Sequence, residues 1–176
     1  MKSSLPYGQL PVLEVTDENG VAKFLGQSGA ILSYVAKMGT GTIVPSDPFL
    51  AAVAEEVADE VEDGNSALFA NPAISGNKAA YREKLATELL PARLTKIEKR
   101  LVAVGTTPGF AVGDNITMAD LKLYGFCGTL ACGLLDGIPT DIVSPALYPT
   151  ITACVATVRA HPKVQEYLAA SAAKTA

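Results

Sequence analysis

The side chains able to do chemistry in this chain are few and mostly isolated. Its three cysteines, Cys127, Cys132 and Cys154, lie among apolar and small residues, with no CxxC pair and no Cys/His spacing. Thiols so placed are expected to be buried and reduced, and no metal site is expected from them. The single histidine, His161, precedes Pro162 where a helix should begin, which points to a structural or surface role rather than acid–base work. Gln27-Ser28 opens a stretch of helical periodicity, with Ser28 placed to cap its start. The other chemical feature is an acidic run, Glu55, Glu56, Asp59, Glu60, Glu62 and Asp63.

These residues need elements to hold them. LPVLEV (10–15) reads as a short buried strand, TDENG (16–20) as a turn ending in Gly20, and VAKFL (21–25) as the returning strand. In 26–38, Ile31, Leu32, Val35 and Ala36 recur at helical spacing. A hairpin and one short helix cannot close a domain alone. From Pro45 the character becomes all-α, with Asp47 as N-cap and Pro48 in the first helical position. Across 49–63, Leu50, Val53, Val57 and Val61 form one face and the acids crowd the rest as a strongly negative surface. Residues 78–104 read as one amphipathic helix with Tyr81, Leu85, Leu89, Ile97 and Leu101 inward and a kink at Pro91.

Gly-rich PGFAVGDN (108–115) ends that helix, and ITMADL (116–121) carries two start signals: capping-box spacing at Thr117 and Asp120, and hydrophobic-staple spacing at Ile116 and Leu121. A central helix is expected from there to about Leu135, apolar nearly all round, with Gly125, Gly128 and Gly133 allowing close approach. The last helices should follow Tyr148-Pro149 and His161-Pro162.

The composition sets the class. With 176 residues and 49% apolar content the chain can bury a core, and its net charge of −4, with scattered rather than clustered Lys and Arg, argues against nucleic-acid binding. No apolar leader opens it and no stretch approaches the ~20 apolar residues of a membrane span, so a soluble cytoplasmic protein is expected.

Five blocks in order, LPYGQLPVLEV (5–15), GQSGAILSYVA (26–36), the acidic helix, NITMADLKLYG (115–125) and LYPTITACVATVRAHPKVQEYL (147–168), resemble the cytosolic glutathione transferases. They are most similar to the sigma class, which includes haematopoietic prostaglandin D synthases. The resemblance implies an α+β, mostly α fold: a partial thioredoxin-like domain over 1–40, a linker at 41–46 and an all-α domain over 47–176. It also implies that the family's first strand, helix and second strand, with the tyrosine that hydrogen-bonds the glutathione sulfur, are missing ahead of LPYGQLP. The hairpin would then carry a raw strand edge and survive by packing on the helical domain.

What the resemblance implies about the site is specific. Pro11 matches a proline after a cis bond that turns the backbone of Leu10 toward glutathione, to be paired like an added strand. Gln27 and Ser28 match the pair holding the γ-glutamyl end of the tripeptide. Lys2 and Gln9 match residues reaching its glycyl carboxylate. Asp63 matches an acid that crosses a two-fold interface to the γ-glutamyl ammonium bound by the neighbouring subunit, so a homodimer is implied. Glutathione would be the co-substrate and a small apolar electrophile its partner, in detoxification. Tyr7 is expected to pack; Tyr124 could face either core or cleft. The alternative is a non-catalytic dimerisation or ligand-carrying scaffold on the same fold.

Overall fold

The structure is a computed structural model of the chain, and it describes residues 5–39, 43–70, 77–105 and 107–175. Lys2 lies outside the described residues. Strands β1 (Val12–Thr16) and β2 (Ala22–Gly26) form an antiparallel hairpin, with Val12 opposite Gly26 and Thr16 opposite Ala22. Its turn is tied by Asp17, whose carboxylate accepts from the backbone N–H of Asn19 and of Val21, both at 3.0 Å, and pairs with Lys23 at 3.2 Å. The Val21 hydrogen bond first, then Lys23, holds that carboxyl below its ordinary range. Gly20, at φ 77, supplies the left-handed residue that the turn requires.

Helix α1 (Ser28–Met38) follows directly, and seven further helical segments follow it among the described residues. Of these, α2 (Pro48–Phe69) opens as expected: Pro48 takes the first position and the Asp47 carboxylate accepts from Leu50 N–H at 2.8 Å. It runs past residue 63, and its buried face continues through Gly64 to Leu68. The acids opposite are less bare than the sequence suggests. Arg100 reaches Glu56 with two nitrogens at 2.9 and 2.7 Å, Arg93 reaches Glu60 at 2.7 Å, and Lys122 pairs with Glu62. Half of the negative face is thus tied to basic side chains that come later in the chain.

The expected single helix over 78–104 is interrupted. It comprises α3 (Lys78–Lys84), a π-helical turn (Leu85–Leu89) and α4 (Leu90–Val104). Pro91 has no N–H to offer Thr87, and its ring displaces that carbonyl, so the turn before it widens: Leu90 N–H bonds the carbonyl of Leu85, five residues back. The extra residue shifts the helical phase by one. Leu89, expected inside, is exposed, while Leu90, Leu94, Ile97 and Leu101 are buried.

Helix α5 (Met118–Ala131) lies at the centre, packed on α2 and on α6 (Pro149–Ala160); α7 (Pro162–Thr175) follows His161, which is exposed. Both prolines begin their helices as expected. The start of α6 is closed from a distance: the Glu98 carboxylate of α4 accepts from Thr150 N–H at 2.8 Å and Ile151 N–H at 2.9 Å. Ile116 and Leu121 are both half-buried.

Asp120, fully buried, organises the start of α5. It accepts from Thr117 N–H and the Thr117 hydroxyl at 2.8 Å each, and from Ala111 N–H at 2.7 Å, locking the preceding loop onto the helix. Burial raises its pKa despite those three donors.

Two expectations about α5 are corrected. It ends at Ala131 rather than near Leu135, and its glycines do not mediate close approach: a Cβ built on Gly125 or Gly128 meets nothing within 4 Å. The tight crossing depends on Gly64 of α2, where a Cβ would stand 2.9 Å from Phe126 Cζ. Cys132 departs too, being exposed, with its thiol donating to the Thr129 carbonyl at 3.0 Å. Cys127 and Cys154 are buried, and burial pushes each up to about 12, which keeps them protonated. No helix among the described residues is long and apolar enough to cross a membrane.

Candidate functional site

The hairpin register brings the sequence-predicted residues to one end. Val12 faces Gly26 in the last pair of the ladder, so Leu10-Pro11 on one side and Gln27-Ser28 on the other both lie just beyond the same end of the hairpin. The pairing of β1 with β2 thus carries both segments to one end of the hairpin although they are far apart in sequence.

The Leu10–Pro11 peptide bond is cis. Leu10 is 76% exposed, and no backbone hydrogen bond of it appears among the described residues. Its N–H and C=O are therefore open to an extended ligand along the edge. Gln9 is exposed beside it.

Just after β2, Gln27 holds φ 71 and ψ 122, the one non-glycine residue with positive φ among those described. Sparsely populated backbone of this kind costs of order 1–3 kcal/mol and is retained where the surroundings require it. Here it makes an abrupt strand-to-helix corner: β2 ends at Gly26, Gln27 is the cap residue with no side-chain cap bond, and α1 begins at Ser28. The expectation that Ser28 caps the helix is thereby corrected. Ser28 is the first helical residue, and its hydroxyl makes no hydrogen bond among the described residues, so it remains available beside the helix's free N–H groups.

Tyr7 lies over this corner, with its ring carbon Cδ2 3.0 Å from where a Gly26 Cβ would be. Any side chain at position 26 would displace it. The packing role expected of Tyr7 has this contact behind it, although the ring is 67% exposed. Tyr124 is half-buried in the wall of a cleft on the far half of α5, apart from the hairpin.

Asp63 is exposed on α2, which packs on α4 and α5, and it does not join the hairpin residues through its own helix. It lines a shallow groove between α2 and α4 with Glu56, Asp59, Lys96 and Arg100, and makes no ion pair among the described residues. Sequence reasoning missed the backbone strain at Gln27. Its only local sign is a non-glycine residue squeezed between a strand ending in glycine and an immediate helix.

A sequence model of the glutathione S-transferase C-terminal domain matches residues 66–171. The chain belongs to the glutathione S-transferase family. The class-mu 28 kDa glutathione S-transferase isozyme of Schistosoma mansoni is 32% identical over 133 residues, which cover 70% of this chain and 57% of that protein. The chain thus spans little more than half of that relative's length. Among solved structures, a monomeric glutathione S-transferase of the hookworm Necator americanus superposes with TM-score 0.72 at 28% identity, covering 96% of this chain and 77% of its own. Prostaglandin synthase D of Nilaparvata lugens superposes with TM-score 0.74 at 25% identity, covering 95% and 76%. Within the glutathione S-transferase fold, the hairpin and α1 are the thioredoxin-like part, and α2 to α7 are the C-terminal helical domain.

Proposed function

We infer that this chain binds glutathione at the open end of the hairpin and serves a sigma-like transferase that conjugates the glutathione thiol to small apolar electrophiles in detoxification. The observation behind the reading is the convergence of the cis Leu10–Pro11 bond and the strained Gln27-Ser28 corner at one end of one ladder. The exposed backbone of Leu10 would pair with the cysteinyl unit of the tripeptide. Ser28 and the first N–H groups of α1 would take the γ-glutamyl carboxylate, with Gln27 beside them, while Gln9 and Lys2 would meet the glycyl carboxylate. The division into 1–40, a 41–46 linker and 47–176 belongs to the same reading, as does a cytoplasmic location.

Asp63 enters only through a second copy. Its carboxylate makes no ion pair among the described residues, whereas Glu56, Glu60 and Glu62 nearby are each bound to a cation. A homodimer through the α2–α4 face would carry Asp63 toward the neighbouring γ-glutamyl ammonium. No residue of this sequence is assigned to activating the thiol, so binding and turnover are separate questions.

Isothermal titration calorimetry of the chain with glutathione tests the reading. Saturable binding, weakened by about tenfold in Ser28→Ala, is expected from loss of one hydrogen bond to a charged carboxylate. A folded chain that takes up no glutathione would remove the enzymatic reading and leave a scaffold.

A further inference from the structure

A cleft of about 640 Å³ opens on the opposite half of α5 from the hairpin, within the 300–1,000 Å³ usual for small-molecule sites. Its floor is Gly125 and Gly128. Neither glycine is needed for packing, since a Cβ on either meets open space, and each carries the helix-propensity cost of about 1 kcal/mol relative to alanine. Their effect is to leave a trough along the surface of α5.

The walls are apolar and unusually exposed. Phe69, at the end of α2, is 68% exposed, and Leu134, in the loop after α5, is 84% exposed. Large apolar side chains rimming a concave surface mark binding surfaces more often than scattered exposure does. Arg159 of α6 is the one ionisable lining residue with a full charge at neutral pH, and it forms no ion pair among the described residues. An apolar trough with a single uncommitted guanidinium at its side matches one class of molecule in charge and polarity: an aliphatic chain ending in a carboxylate.

We propose that this cleft is a second ligand site, distinct from the glutathione end, that takes an amphipathic monocarboxylate, with the chain along Gly125 and Gly128 and the carboxylate on Arg159. Because the cleft is built by α2, α5, α6 and the connection between α5 and α6, with no lining residue from the hairpin or α1, occupancy does not depend on the hairpin site.

The test is calorimetric titration of the full chain with decanoate and, separately, with decanol, for the unaltered protein, Arg159→Gln, Arg159→Lys and Gly128→Leu. Each variant's fold is checked by circular dichroism and its mass by sedimentation. Decanoate should bind saturably, about tenfold more weakly in Arg159→Gln and with most affinity kept in Arg159→Lys, while decanol binding is unchanged by either. Gly128→Leu fills the trough without touching the core, and should abolish binding of both ligands while leaving glutathione titration as it was. Decanoate affinity insensitive to both Arg159→Gln and Gly128→Leu, or no saturable binding at all, overturns the site. A dimer that dissociates on Gly128→Leu overturns it too, by showing that a second copy of the chain covers the cleft.

Discussion

The hairpin with α1 and the bundle of α2 to α7 solve opposite problems. The bundle buries Leu68, Leu85, Leu94, Leu101, Leu123, Phe126 and Ile151 to within a few per cent of full enclosure, whereas Ala36 is the only buried hydrophobic residue that the hairpin and α1 contribute. Phe24, Val35 and Met38 stand exposed in the small unit, and among the described residues the sheet has two strands and no third partner. Leu32 of α1 packs on the bundle core, and Met118 N–H bonds the carbonyl of Ile43, between α1 and α2, at 3.2 Å, so the small unit and the segment that follows it are both held by the large one. The contrast teaches where each kind of strain can be tolerated. The strained Gln27 corner belongs to the unit with little core of its own, and the stability that offsets it resides in the bundle.

The largest expected effect tests that division directly. Phe126→Ala should cost about 3–5 kcal/mol in urea unfolding, from lost transfer energy and the cavity left under Gly64. Leu13→Ala, at a half-buried hairpin position, should cost less than about 1.5 kcal/mol. Equal costs would mean that the hairpin is as much a part of the core as α5.

Asp120 gives a pH-dependent test within the bundle. Its folded pKa is raised above 3.8, so the native state binds more protons than the unfolded chain in that window. The contribution of Asp120 to stability should therefore decline as pH rises from 3.8 through the folded pKa, and this component of the slope should vanish in Asp120→Asn. That variant should itself be about 1–3 kcal/mol less stable at neutral pH, because an amide cannot accept from all three donors. A slope unchanged by Asp120→Asn would assign it to other carboxylates.

Paired glycine substitutions sharpen the distinction between crossing and trough. Gly64→Ala should destabilise by about 1–3 kcal/mol through overlap with Phe126, whereas Gly128→Ala should stabilise by roughly 0.5–1 kcal/mol, since its methyl enters open space on a helix. Thermal melts that shift in the same direction for both would refute the assignment of roles to the two glycines.

The smallest stability change is expected at the hairpin corner. Gln27→Gly should leave the melting temperature unchanged or raise it slightly, because glycine accepts φ 71 without cost, yet weaken glutathione binding by removing the amide. A strained residue retained for structure alone would show the opposite pattern, with stability lost and binding kept.

Much of the fold was legible because its signals are local. Asp47 before Pro48, Thr117 and Asp120 at capping-box spacing, Pro149 and Pro162 at helix starts, and the Asp17–Gly20 turn all act within a few residues of themselves, so their chemistry is readable in the sequence. The hairpin-end residues Gln9, Leu10, Pro11, Gln27 and Ser28 were reachable through family resemblance, but why they cooperate is a matter of register. The phase of the third long helix was not legible. Spacing placed Leu89 inside, and only the π-helical turn provoked by Pro91 moved Leu90 into its place.

The sequence by itself determined that this is a glutathione S-transferase chain and where most of its helices begin, because caps, turns and motif order are properties of neighbouring residues. Only the tertiary structure decided which glycine lets α2 approach α5, that Glu98 closes α6 from another helix, that three of the six acids on α2 are paired, and that Arg159 faces an open apolar trough. Each of those depends on side chains distant in sequence arriving at one place, which packing of the core fixes and local propensity does not.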